Sequence, residues 1–270
     1  GFLVVCADDP GALTVGMRAR AAGVQVRTYG ECAEADVRVA SIDLAGIGVS
    51  FDVVEHGRNA GRLHLRVPGR HNALNAAAAL TAGMGLGYTS RQLCEGLAGF
   101  TGTRRRFEFK GYAAGVWVYD DYAHHPTEVA AVLTAARPLA GDGRVVAIFQ
   151  PHLFSRTRVF AAEFGKALGA ADEVIVMDVY PAREDPEPGV TGALVAAAVP
   201  LPQHLVTYVP SWSAVPEVAA ARLRPGDVVF TFGAGDVTLI GPEILELLDR
   251  QVRPDGSAAQ PLPGAVRSGA

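Results

Sequence analysis

Residues 120–129, DDYAHHPTEV, hold the densest set of reactive side chains in the sequence: two carboxylates, a tyrosine and two histidines ahead of a proline. Adjacent Asp and His side chains could ligate a metal ion. In extended backbone, however, neighbouring side chains point to opposite faces, so at most one of His124 and His125 faces a given site. The bland alternative is a helix start whose polar groups only satisfy backbone N–H groups. His125 or a neighbour would then cap the helix, with Pro126 in its first turn and Glu128 at the positive end of its dipole. Five functional side chains within a few residues exceed what capping needs.

Four further stretches could carry chemistry. FQPHLFSRTR, residues 149–158, puts Arg156 and Arg158 after an apolar strand, where a guanidinium could bind a carboxylate or phosphate through paired hydrogen bonds. A solvated basic first turn is the competing reading. GRHNALNAAAAL, residues 69–80, places His71, Asn72 and Asn75 at a helix start. The two asparagines, three apart, share a face and could offer donor and acceptor to a base edge such as adenine, or merely cap. RRRFEFKG, residues 104–111, could clamp phosphates or ribose, or serve as a charged linker. GAGDVTLIG, residues 233–241, is a glycine turn into a helix without the full dinucleotide fingerprint. Only two lysines occur, Lys110 and Lys166, and neither sits in a G-x-x-x-x-G-K-[ST] phosphate loop.

The elements that must position these residues follow from periodicity. Residues 2–6 read as a buried strand, the stretch around 8–23 as a helix begun by Asp8 or Asp9 and Pro10, and residues 24–29 as the next strand: a β-α-β unit. Residues 36–67 alternate in short runs broken by glycine, as an antiparallel meander does. An Ala-rich helix from residue 71 and a second over 90–97 follow. The mixed segment 99–111 marks a boundary, giving units 1–101 and 102–252. Beyond it, strands near 107–112, 115–119, 144–149, 173–178, 205–208 and 227–232 alternate with helices near 126–137, 157–169, 191–198, 213–222 and 237–249. That alternation predicts a mostly parallel, Rossmann-like sheet covered on both faces, with ligands at its carboxyl edge. The turns near 121 and 156 are therefore expected side by side on one rim. Residues 253–270, rich in Pro and small residues, read as a disordered tail.

Composition excludes several classes. Of 270 residues, 49% are hydrophobic and 19% charged, as in a soluble globular α/β protein, and a net charge of −4 gives no basic footprint for nucleic acid. No apolar run is long enough for membrane insertion. Three distant cysteines, Cys6, Cys32 and Cys94, fit reduced, buried thiols in a cytoplasmic protein. The chain opens on Gly1 directly into an apolar run, without initiator Met or signal peptide, and reads as a fragment cut in at a core strand.

Taken in order, GRHNALNA, TGTRRRFE, DDYAHHPTE, FQPHLFSRTR, YPAREDPEPGVTG and GAGD resemble the Mur ligases, over residues 1 to about 250. The resemblance implies the end of a central ATPase domain with its β-meander, then the whole C-terminal Rossmann-like domain. It implies ATP-dependent ligation of L-alanine to UDP-N-acetylmuramic acid through an acyl phosphate. Mg2+ would be held by residues upstream of this chain. On that basis His71, Asn72, Asn75, Arg106 and Asp121 would bind ATP. Tyr122, His124, Arg156 and Arg158 would contact substrate, with His124 and Arg156 in catalytic roles. Many members carry Arg where this chain has Leu153, so that contact is lost or supplied by Arg158. Two alternatives remain open: a sister ligase that reattaches a recycled tripeptide, and a metal-dependent hydrolase built on His124, His125 and the Asp pair.

Overall fold

The structure is a computed structural model describing residues 1–44 and 48–252; the expected tail lies outside the described residues. Its first half is a five-stranded sheet in the order β1-β2-β3-β4-β5, from β1 (Phe2–Cys6), β2 (Gln25–Gly30), β3 (Val37–Asp43), β4 (Val49–Glu55) and β5 (Arg58–Leu65). Helix α1 (Pro10–Ala21) connects the parallel pair β1 and β2, and starts where the Asp9 carboxylate accepts from the Ala12 N–H. Strands β3, β4 and β5 form the expected antiparallel meander. Contrary to the sequence reading, β1 is not wholly buried. It lies at a sheet edge with only Val5 buried, having no strand on its other side among the described residues. The thiols also differ from expectation: all three cysteines are free, but each is half-buried.

Helices α2 (Arg70–Gly85) and α3 (Ser90–Ala98) close this half. Ala73, Ala77 and Leu80 of α2 are fully buried against Phe51 of β4 and Leu63 of β5. Small residues repeating at helical spacing let α2 lie close to the sheet, which fixes where its polar first turn points.

The second half is a six-stranded sheet in the order β10-β9-β8-β11-β7-β6, from β6 (Glu108–Ala113), β7 (Val116–Asp121), β8 (Val145–Phe149), β9 (Glu173–Met177), β10 (Val206–Val209) and β11 (Val228–Phe232). All neighbours are parallel except the β6–β7 hairpin. Strands β8, β9 and β11 are buried at every residue, as expected of parallel strands covered on both faces. The covering helices are α4 (Pro126–Ala140), α5 (Phe154–Leu168), α6 (Gly192–Ala198), α7 (Val215–Arg222) and α8 (Ile240–Val252). Two differences from the sequence reading have local causes. Helix α4 runs on through Pro138, past the expected end at 137. Helix α5 starts at Phe154 rather than 157, because Leu153 takes φ 73° at its N-cap.

The order also corrects one expectation. Strands β7 and β8 are not neighbours, since the late strand β11 lies between and pairs with both. Phe149 and Phe232, at the carboxyl ends of β8 and β11, and Phe230 within β11 are fully buried, each contributing roughly 2–3 kcal/mol. That is enough to hold these strand ends in fixed register beneath the polar turns. At the opposite rim Arg144 pairs with Asp227 (2.6 Å) and Glu173 (2.7 Å), and Arg222 with Glu173. The carboxyl rim is where unpaired chemistry remains.

Candidate active site

Two clusters form around the carboxyl rim, joined by the segment 102–107. In the first, α2 presents His71, Asn72 and Asn75 across a cleft of about 470 Å³ from Arg106, Asp121 and Glu128. All five residues expected to bind ATP line this cleft, and they come from both halves of the chain. Asn72 donates to the Pro68 carbonyl (2.7 Å), which leaves its oxygen to accept from Asn75 at 3.4 Å. Asn75 is exposed and otherwise uncommitted. Burial, then the charge of Arg106, holds the His71 imidazole below its ordinary range, so the ring is neutral and can accept as well as donate.

Asp121 is 2% exposed at the end of β7. Burial pushes its carboxyl up to about 6, against the pull of the Phe107 N–H and the Ala123 N–H, each donating at 2.8 Å. Asp120 faces the other way. It accepts from Arg105 (3.1 Å), Thr231 (2.7 Å) and Thr238 (2.8 Å), tying the hinge segment to β11. Both carboxylates are thus committed to protein donors, and no group of three or more His, Cys, Asp or Glu among the described residues is arranged to hold a metal ion. That donor set does not fit a hydrolytic metal built on His124, His125 and the Asp pair.

The second cluster is built on the turns after β7 and β8. His125 caps α4, with the capping box closed by Glu128, and its ring packs on Phe160 at 5.2 Å. His124 points elsewhere, as alternation requires: its ring meets Tyr122 at 5.2 Å and His152 at 6.0 Å. His124 Nδ1 lies 2.9 Å from the Tyr122 carbonyl oxygen, which can only accept. Nδ1 therefore carries the hydrogen, and Nε2 is the acceptor of the neutral ring. Arg156 reaches the His124 carbonyl (3.4 Å) and His152 Nδ1 (3.5 Å), and no carboxylate pairs with it among the described residues. The expected meeting of the two turns on one rim is thus observed, bridged by Arg156 across the intervening β11.

Arg158 is elsewhere. Two residues along α5, it is exposed and paired with Glu187 at 3.0 Å, so it joins neither His124 nor Arg156 and does not stand in for an arginine at Leu153. The sequence reading missed His152, Tyr180 and Glu184. Burial, Arg156 and His124 hold His152 below its ordinary range, while Glu184 opposes them. Tyr180 stacks on His152 at 5.7 Å. Glu184 accepts from the Ser155 N–H and hydroxyl, capping α5. The four-residue spacing of His152 and Arg156 was the available signal for the first; the other two needed the loop after β9 to fold back. A second cleft of about 500 Å³, beside the hinge, is walled mainly by Phe107, Phe109, Trp117, Tyr119 and Pro138.

The chain is similar to known proteins in sequence and in fold. Residues 105–235 match "Mur ligase, glutamate ligase domain", and residues 1–83 match "Mur ligase middle domain". A UDP-N-acetylmuramate–L-alanine ligase of Kineococcus radiotolerans is 60% identical over 248 residues, which is 92% of this chain and 52% of the relative. One from Acidothermus cellulolyticus is 55% identical over 252 residues, 93% of this chain and 53% of that protein. The crystal structure of the UDP-N-acetylmuramate–alanine ligase of Thermotoga maritima superposes with a TM-score of 0.68 at 27% identity, covering 83% of this chain and 48% of that one. A murein peptide ligase from Psychrobacter arcticus shares the fold, with a TM-score of 0.64 at 20% identity over 96% of this chain and 52% of its own. The chain spans about half the length of the curated relatives it matches. With two ordered domain matches and this level of identity along most of its length, the chain belongs to the Mur ligase family.

Proposed function

We propose that this chain supplies the adenosine-facing and amino-acid-facing half of an ATP-dependent ligase that joins L-alanine to UDP-N-acetylmuramate in the cytoplasm. The boundary between its two units falls near residue 101. The observation that carries the reading is the 470 Å³ cleft, in which His71, Asn72, Asn75, Arg106 and Asp121 converge from both halves of the chain. There the asparagines and the neutral His71 would read the adenine edge, and Arg106 and Asp121 the ribose and phosphates.

In the reaction, the lactyl carboxylate takes the γ-phosphoryl group of ATP to form an acyl phosphate. The neutral amine of L-alanine then adds to the acyl carbon, the C–O bond to phosphate breaks, and phosphate leaves as the amide forms. The proton lost by nitrogen goes to His124 Nε2, whose ring is oriented by the Tyr122 carbonyl. Arg156, without a carboxylate partner among the described residues, would hold the alanine carboxylate. Arg158, paired to Glu187, stands at the periphery of this site. Most of the rate in such a transfer comes from positioning and charge neutralisation, which a closing second domain supplies.

The relatives that match at high identity are alanine ligases, which favours alanine over a recycled tripeptide. The test is amino-acid-dependent phosphate release by the full-length parent, with alanine, glycine, serine and the tripeptide side by side. Alanine is expected to dominate; preference for the tripeptide would overturn the assignment. These 270 residues alone, lacking a phosphate loop, are expected to form no amide.

A further inference from the structure

Glu128 touches both clusters. Its Oε2 is fixed by the two backbone N–H groups at the start of α4, that of His124 at 3.0 Å and that of His125 at 3.2 Å. The same oxygen lies 3.5 Å from His124 Nδ1. Its Oε1 has no backbone donor and faces Arg106 at 3.5 Å. One carboxylate, held rigid by the cap, thus stands between a cation on the nucleotide side and an imidazole on the amino-acid side.

We infer that Glu128 is a positioning residue that couples the nucleotide cleft to His124: an anion engaging Arg106 leaves the Glu128 charge to His124, which then holds a proton more firmly. This rests on the proposed nucleotide and alanine sites. Without nucleotide, Arg106 neutralises Glu128, and His124 is a poorer acceptor. With nucleotide, the guanidinium turns to the phosphates or ribose, and His124 Nε2 becomes a better acceptor when the amine adds. The remaining groups around His124 are Tyr122, whose ring also meets the guanidinium groups of Arg105 (5.0 Å) and Arg106 (5.7 Å), together with His152 and Arg156. Tyr122 also touches both Arg106 and His124, but through an uncharged ring; Glu128 bridges the two sides with a charge. Burial works to raise the Glu128 carboxyl, yet the His124 N–H, the His124 and Arg106 charges and the His125 N–H hold it below the ordinary carboxylate range, so it stays charged.

The decisive variant is Glu128→Gln. A glutamine oxygen still accepts from the two cap N–H groups, because Gln serves a capping box as Glu does, while the charge is removed. The readout is the protonated fraction of the His124 ring at fixed pH, followed by NMR of the full chain and identified by its loss in His124→Gln. Saturating ADP is expected to raise that equilibrium about two- to fivefold in the wild type, the range for a partly exposed ion pair, and to leave Glu128→Gln unchanged. Arg106→Gln should reproduce the rise without ADP. Adding Glu128→Gln should abolish it, which separates the route through Glu128 from direct Arg106–His124 repulsion. Equal responses with and without the Glu128 charge would overturn the inference. A response to Arg106→Gln with no binding of ADP would keep the shared carboxylate and overturn the nucleotide reading.

Discussion

Asp121 and Arg156 owe their usefulness to opposite circumstances. Asp121 is buried and held by two N–H donors, and its folded value of about 6 lies above the ordinary 3.8. A carboxyl raised in this way contributes stability that is complete below 3.8 and is lost as pH rises through about 6. The amount is on the order of 2–3 kcal/mol for a shift of this size. Urea denaturation of the wild type should therefore show stability falling across that window, and Asp121→Asn should flatten the slope there; an unchanged slope would place the titration elsewhere. Arg156 is paired with no carboxylate among the described residues. In the full-length enzyme, Arg156→Ala is expected to raise KM for L-alanine at least tenfold, with nucleotide affinity within about twofold, since a charge-assisted contact is worth roughly 1.5–3 kcal/mol. Equal losses for both ligands would remove Arg156 from the substrate role. These two residues were legible in the sequence because their neighbours in the chain define a strand-to-helix turn. Tyr180 and Glu184 were not, because their roles depend on a loop folding back onto α5, and no local periodicity encodes that return.

Among the elements, helix α6 shows how closely this sheet is wrapped. An added Cβ at Gly192 would collide with the Met177 carbonyl at the end of β9, and the Gly192 N–H lies 3.1 Å from the Asp178 carboxylate. Gly192→Ala should cost more than about 2 kcal/mol, read as a fall of several degrees in Tm, because the clash is with backbone of a buried strand and cannot relax by a rotamer change. A neutral outcome would show that α6 slides freely on the sheet. Strand and helix positions were readable to within a few residues, since β8, β9 and β11 are short apolar runs between turn residues. What periodicity could not give was their lateral order. Nothing local to residues 228–232 says that this strand enters the middle of the sheet, because pairing is decided by which crossovers leave both faces covered. The start of α5 shows the same limit: Leu153 adopts a positive φ that its β-unbranched side chain tolerates without advertising it.

At the scale of the whole molecule, the proposed nucleotide cleft lies where α2 of the first half faces the segment 102–107 and α4 of the second. A ligand that bridges the two should stabilise both at once. Adenine nucleotide at a hundredfold excess over its Kd is expected to add about 2.7 kcal/mol to the unfolding free energy of the chain. A single calorimetric transition moving upward would show this, whereas stabilisation of only one of two separated transitions would confine the ligand to one half. The two halves were visible in the sequence as a change of period around residues 99–111; their approach at Arg106 was suggested only through the family resemblance.

The position of β11 has a consequence for how the chain must be made. Residues 228–232 are synthesised after every other strand of this sheet yet lie between β7 and β8, so until they emerge from the ribosome each of those strands waits with one bare edge. Such edges are templates for self-association, and pairings so distant in sequence form slowly. A version stopped at residue 226 should therefore accumulate as insoluble material, although it retains His71, Arg106, Asp121, His124 and Arg156. Supplying residues 227–252 in trans should rescue part of it.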